Sequence, residues 1–148
     1  MKIYIDADGC PVVKLTIDLA KKNGLPAVVV KNYAHVVDSD YAEVVTVDIS
    51  RDSADYYIAN RLHPGDILVT QDYGLAAMAL SKKASILNQN GLIITDTNIM
   101  GLLDRRHVNQ KMRKEKRIYT KIPKRTREDD DRYIEALSHL IRRGKDNL

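Results

Sequence analysis

Ile3-Tyr4-Ile5-Asp6-Ala7-Asp8-Gly9-Cys10-Pro11-Val12 is the stretch from which the rest of the chain can be read. Residues 2–5 alternate as a short strand and run straight into two carboxylates at i, i+2. Gly9 then permits a sharp turn, and Pro11 stands where a helix can begin, since its missing N–H is no loss at a first helical position. In an open α/β sheet, ligands bind where strands give way to helices. Asp is a poor strand residue and adjacent anions repel, so two acids at a strand end call for a cation, a turn backbone or both. A divalent metal is the expectation with which the other acids are compared.

Working outward, Val12, Val13, Thr16, Ile17, Leu19 and Ala20 recur at helical spacing until Asn23-Gly24 closes the helix. Ala27–Val30 and Glu43–Val47 are short strand-like runs joined by an irregular segment carrying Tyr33, His35, Asp38 and Asp40. Ser50 to Asp55 offers several N-caps before a helix with Tyr56, Ile58, Ala59 and Leu62, which His63-Pro64-Gly65 ends. Asp66–Thr70 reads as a buried strand, followed by Gln71-Asp72-Tyr73-Gly74 and a helix of small residues from Leu75 to Leu80. The apolar runs on either side of Asn88-Gln89-Asn90-Gly91 suit a hairpin or a parallel pair equally. Asp96-Thr97-Asn98 reads as the cap of a long helix through Ile99, Leu102 and Leu103 and on toward Arg117. Residues 118–127 read as a linker or exposed arm, and Glu128 to Asp131 precede a last helix at about 129–143 with Ile134, Leu137, Leu140 and Ile141 on one face. Strands alternating with helices predict one α/β domain over residues 1–148, a three-layer α/β/α arrangement with a mainly parallel central sheet.

A chain of 148 residues is long enough for one sizeable core. No stretch approaches the ~18 consecutive apolar residues of a membrane span, so the expectation is a soluble, cytoplasmic protein with no membrane partner. Cys10 is the one cysteine, which excludes an internal disulfide and a cysteine-based zinc site. The net charge of +4 conceals an asymmetry. Residues 1–104 carry 9 basic against 13 acidic side chains, residues 105–127 carry 11 against 1, and residues 128–148 carry 4 against 6. An acidic body can collect cations, and a basic segment can hold a polyanion.

In a parallel sheet the strands end at one edge, so acids following different strands meet there. Asp6 and Asp8 follow the first strand, Asp72 follows Asp66–Thr70, and Asp52 and Asp55 open the helix after Glu43–Val47. Asp48 and Asp96 also lie just beyond strands. Hard cations such as Mg²⁺ and Mn²⁺ prefer carboxylate and water, and in a phosphodiester-cleaving site two ions ~3.5–4 Å apart can activate water and stabilise the leaving oxygen. Asp52 and Asp96 also suit helix capping alone, and Asp129 to Asp131 a solvated, dipole-complementing helix start. Cys10 reads as a small buried residue and the four histidines receive no role. Arg105, Arg106, Lys111, Arg113, Lys114, Lys116 and Arg117, then Lys121, Lys124, Arg125 and Arg127, are more cations than a solvated face needs. They suit phosphate contacts, with Tyr119 available to stack on an unpaired base.

At Asp6-Ala7-Asp8-Gly9-Cys10-Pro11-Val12 the chain resembles the YaiI/YqxD family of uncharacterised bacterial proteins. The match continues in Ser53-Ala54-Asp55-Tyr56-Tyr57-Ile58, in Thr70-Gln71-Asp72-Tyr73-Gly74-Leu75-Ala76, and from Thr97-Asn98-Ile99 through Arg105-Arg106. That family resembles a branch of the PIN-like nucleases, which cut RNA or other nucleic acid with Mg²⁺ or Mn²⁺ held by a few acids. The resemblance implies that Asp6 is the acid ending the first strand, Asp55 the acid on the central helix and Asp72 the acid of a Thr-x-Asp segment. Asp8 belongs to the family's own motif, and the acid that PIN-like nucleases carry on an earlier helix, usually Glu, is not evident here.

Three functions compete. The leading one is a metal-dependent nuclease acting on RNA or single-stranded nucleic acid, with Asp6, Asp8, Asp55 and Asp72 as metal ligands and residues 105–127 on the phosphate backbone. The second is a haloacid-dehalogenase-like phosphatase, since Asp6-Ala7-Asp8-Gly9 resembles its Asp-x-Asp motif with Asp6 as nucleophile. A non-catalytic nucleic-acid-binding module is the third.

Overall fold

β1 (Ile3–Asp6) lies inside the sheet, with β2 (Ala27–Asn32) on one side and β4 (Ile67–Val69) on the other, both parallel to it. In this computed structural model, residues 1–50, 53–105 and 124–147 are described. Among the described residues, β3 (Glu43–Val47), β5 (Ser85–Leu87) and β6 (Ile93–Ile94) complete a six-stranded sheet of order β3-β2-β1-β4-β5-β6, in which β6 alone runs antiparallel. The expected α/β architecture with a mainly parallel sheet is thus the one observed.

Side chains alternate across a strand, and the two faces of β1 are covered by different helices. Ile3 and Ile5 pack with α1 (Val13–Lys22) and α5 (Arg127–Asp146). Tyr4 packs on the other face with α2 (Ser53–Arg61), α3 (Tyr73–Ser81) and α4, which is described over 99–105. At ~1.5–3 kcal/mol for each large apolar side chain fully buried, these two cores are what hold the layers together. The buried Tyr133 of α5 sends its hydroxyl to Thr16 Oγ1 of α1 at 2.5 Å, and that hydroxyl in turn donates to the Val12 carbonyl at 2.7 Å.

From β1 the chain crosses through α1 to β2, and from β3 it crosses through α2 back over β1 to β4. The direction of winding reverses at β1, which opens a crevice beyond the ends of β1 and β4. Segment 33–42, between β2 and β3, has no helix; Tyr41 anchors it by donating to the Leu25 carbonyl at 2.5 Å.

Of the two arrangements open for residues 84–95, the hairpin is the one formed. Asn88 Oδ1 accepts from the N–H groups of Asn90 and Leu92 and closes the loop. Gly91 has φ +81, and a Cβ there would stand 2.8 Å from the Arg132 carbonyl oxygen of α5. Gly91→Ala should therefore combine left-handed strain of ~1–2 kcal/mol with a backbone clash. The expected result is a thermal midpoint lower by several degrees, measured by circular dichroism.

The last helix starts earlier than its sequence pattern indicates. Thr126 is its N-cap, Thr126 Oγ1 accepts from the Asp129 N–H, and Asp129 Oδ2 accepts from the Thr126 N–H at 2.8 Å. This reciprocal capping box places Glu128, Asp129 and Asp130 within the first turn. The backbone hydrogen bond from Thr126 holds Asp129 below the ordinary carboxylate range. Asp66 likewise lies just outside β4, where its buried carboxylate accepts from the N–H groups of Lys2 and His63. Among the described residues no helix is long and apolar enough to cross a membrane.

Candidate functional site

Asp6, Asp8, Asp55 and Asp72 line one cleft of about 340 Å³ beyond the ends of β1 and β4, together with Asn32, Asp48 and other residues. Each acid arrives there by a different local device. Asp6 is the last residue of β1 and accepts a hydrogen bond at 2.7 Å from Thr70 Oγ1, which follows β4. The same Thr70 oxygen accepts from the Asp72 N–H at 3.0 Å, so one hydroxyl ties the two acid-bearing turns together. Asp72 caps α3, its Oδ1 accepting from the N–H groups of Gly74 at 2.9 Å and Leu75 at 3.2 Å. Asp55 lies in the first turn of α2. Asp8 sits past the Ala7 turn, where its Oδ1 accepts from the Asn32 N–H at 3.3 Å and lies 3.7 Å from His35 Nε2. Gln71 Nε2 donates to the Gly9 carbonyl at 2.9 Å and fastens the Gly9 turn to the β4 end.

Electrostatically the cleft is under tension. Burial pushes Asp6 up to about 6, the Thr70 hydrogen bond opposes that shift, and the Asp72 and Asp8 charges add to it. A carboxylate in such a place is relieved by a proton or by a cation. Among the described residues, no three or more His, Cys, Asp or Glu side chains are gathered into a metal-binding set. The acids ring an open cleft and do not form a cage.

Other expected participants lie elsewhere. Asp96 follows β6, and because β6 runs antiparallel its end points to the opposite edge of the sheet. There, among the described residues, Asp96 is the one acid lining a larger cavity of about 470 Å³ with Met1, Pro64, Lys83 and Leu140. That cavity has the volume of a ligand site but lacks converging carboxylates. Asp52 lies outside the described residues, as do Arg106, Lys111, Arg113, Lys114, Lys116, Arg117 and Lys121. Arg105 is exposed on α4 and Lys124 is exposed ahead of α5. Arg125 is not available as a phosphate contact in the way the basic run implies: it holds Asp130 at 2.6 Å and the Gln89 carbonyl at 2.9 Å, pinning the β5–β6 loop to α5.

Thr70, Asn32 and Gln71 support the acids and turns of the cleft, and residue chemistry alone does not single them out. Thr70 stands in the Thr-x-Asp segment, so its spacing was a signal. Asn32 acts through its backbone N–H, and Gln71 through a contact spanning 62 positions in sequence.

The model of the family described as "Uncharacterized BCR, YaiI/YqxD family" matches residues 4–143. A UPF0178 protein of Alkaliphilus oremlandii is 50% identical over 141 residues, covering 95% of this chain and 91% of its own. A UPF0178 protein of Natranaerobius thermophilus is 47% identical over 141 residues, covering 95% and 96%. Among solved structures, that of a Rae1 (YacP) mutant from Bacillus subtilis is similar over 77% of this chain and 83% of that one, at 14% identity and a TM-score of 0.45. With the family model matching residues 4–143 and relatives this similar, the chain belongs to the YaiI/YqxD family.

Proposed function

We propose that the acidic cleft is the site of a metal-dependent nuclease of PIN-like type, which hydrolyses phosphodiester bonds in RNA or other single-stranded nucleic acid. The observation that carries this reading is the meeting of Asp6, Asp55 and Asp72, distant in sequence, with Asp8 around one cleft at the winding reversal of the sheet. Their donor set is all carboxylate oxygen, which suits a hard cation such as Mg²⁺ or Mn²⁺. Mg²⁺ is held by one or two carboxylates and keeps several waters, so an open ring of acids fits it better than a closed cage. When bound, such an ion supplies an activated water and a counter-charge for the leaving oxygen.

The chain's own residues do the rest. Thr70 orients Asp6 and the Asp72 backbone, so the two carboxylates keep their separation. Asp8 is steadied by the Asn32 N–H. Arg105, Lys124 and the other basic residues of 105–127, Arg125 excepted, are proposed to hold the phosphate backbone through salt-dependent contacts.

The deciding experiment follows cleavage of end-labelled oligonucleotides with and without Mn²⁺, using the wild-type protein, Asp6→Asn, Asp55→Asn and Asp72→Asn. Metal-stimulated cleavage that each substitution removes is expected. Cleavage that survives Asp6→Asn and Asp72→Asn would overturn the assignment. Trapping of an aspartyl-phosphate on Asp6 would favour the phosphatase, and metal-independent binding without turnover the binding module. Thr70→Val deletes the hydroxyl that supports two acids; loss of such an outer-shell partner is expected to lower metal affinity or activity by ~10–100-fold. Isothermal titration with Mn²⁺ checks it.

A further inference from the structure

Beside the acidic cleft, on the other side of the Asp8–Gly9 turn, lies a second concavity of about 370 Å³. It is lined by Cys10, Pro11 and Val13 of the stretch leading into α1, by His35, Val36 and Val37 of segment 33–42, and by Ala7 and Gly9. Ala7 and Gly9 flank Asp8 in sequence, so one short turn contributes to both the groove and the acidic cleft. His35 joins the two physically, being part of the groove while its Nε2 lies 3.7 Å from Asp8 Oδ1. Among the described residues no carboxylate lines the groove, and its lining residue Val36 is 85% exposed.

Resting on the nuclease reading, we propose that this groove receives an unpaired nucleobase of the strand whose phosphate lies in the acidic cleft. The occupant follows from the chemistry of the two neighbouring halves. A nucleotide is an anionic phosphate, met by a cation among the acids, joined by one sugar to a flat and largely apolar base. The groove supplies apolar walls for the base faces and the His35 ring for stacking or for a hydrogen bond to a base edge. A base paired in a duplex has its faces stacked and cannot enter, so the groove selects single strands. The site thereby acquires a substrate class that the acids alone do not specify.

The test uses binding, with cleavage as a separate readout. A short uridine homo-oligomer and an abasic backbone of the same length are titrated against the wild-type protein in Mn²⁺, with Val36→Asp and His35→Ala alongside. Val36 is exposed, so its replacement leaves the core untouched, and unchanged thermal midpoints confirm the fold. Stacking of one base corresponds to a roughly tenfold gain in affinity. The expected result is that the uridine oligomer binds about tenfold more tightly than the abasic one, and that Val36→Asp removes this difference. The uridine oligomer should also slow alkylation of Cys10 more than the abasic one does, as followed by mass spectrometry. Equal affinities for the two oligomers, or a preference that survives both substitutions, would overturn the proposal. A base preference confined to wild type, with no cleavage of any oligonucleotide, would support the groove and overturn the nuclease reading. Cleavage of abasic and base-containing strands with equal affinity and rate would do the reverse.

Discussion

Asp6→Asn should melt several degrees above the wild-type protein at about pH 7.5 and should show no metal-stimulated cleavage. Both effects come from the same carboxylate. In the folded protein Asp6 is raised from 3.8 to about 6, chiefly by burial and then by the Asp72 and Asp8 charges. Between those two values the folded chain holds a proton that the unfolded chain releases. Stability therefore falls as pH rises through this window, and the whole cost is present above about pH 6. That interval corresponds to roughly 3 kcal/mol if nothing relaxes. Asn is close to isosteric, still accepts from Thr70 through its carbonyl oxygen, and carries no charge to desolvate. At ~2–4 °C per kcal/mol for a chain of this size, the gain should be readily measured. It should shrink as pH falls through this window and disappear well below 3.8, where Asp6 is protonated in both states. Mn²⁺ should raise the midpoint of the wild-type protein and leave that of Asp6→Asn unchanged, and the wild-type affinity for Mn²⁺ should rise as pH increases through about 6. A variant that melts no higher than wild type at neutral pH would show that Asp6 carries no such strain.

Asp72→Asn is the second case, and it separates capping from charge. Asp72 accepts two N–H groups at the start of α3, which alone would account for its presence. Asn caps a helix about as well as Asp, whereas Ala forfeits ~1 kcal/mol. Asp72→Asn should therefore leave the thermal midpoint near that of the wild-type protein, while Asp72→Ala lowers it. If the charge matters to the chemistry, Asp72→Asn should still reduce metal-stimulated cleavage by about 10²-fold or more, the scale on which preorganised electrostatic groups act. It should also lower the pKa of Asp6, because one of the charges that raises it is gone. Carboxyl titration by NMR would register that change. Retention of full cleavage by Asp72→Asn would reduce Asp72 to a cap.

The outline of the fold was legible because its signals are local. Alternation in Ile3-Tyr4-Ile5, helical spacing from Val13 to Ala20, and the punctuation at Asn23-Gly24 and His63-Pro64-Gly65 each require only neighbouring residues. Even the acids at the strand ends could be identified, since a parallel sheet collects whatever follows its strands. Less legible were features that depend on direction and on distant partners. Asp96 satisfies the same local description as Asp48, yet it lies at the other end of the molecule because β6 reverses. Arg125 reads as one cation in a basic run, but Asp130 and the Gln89 carbonyl claim it.

By itself, the sequence determined that this chain is an α/β domain with carboxylates at the ends of its strands, because periodicity and turn chemistry are properties of adjacent residues. Only the tertiary structure decided which of those acids share a cleft, that Thr70 ties Asp6 to Asp72, and that an apolar groove lies beside Asp8. Those outcomes depend on strand order and strand direction. They follow from how two cores bury their side chains on opposite faces of β1, and no local pattern encodes that packing.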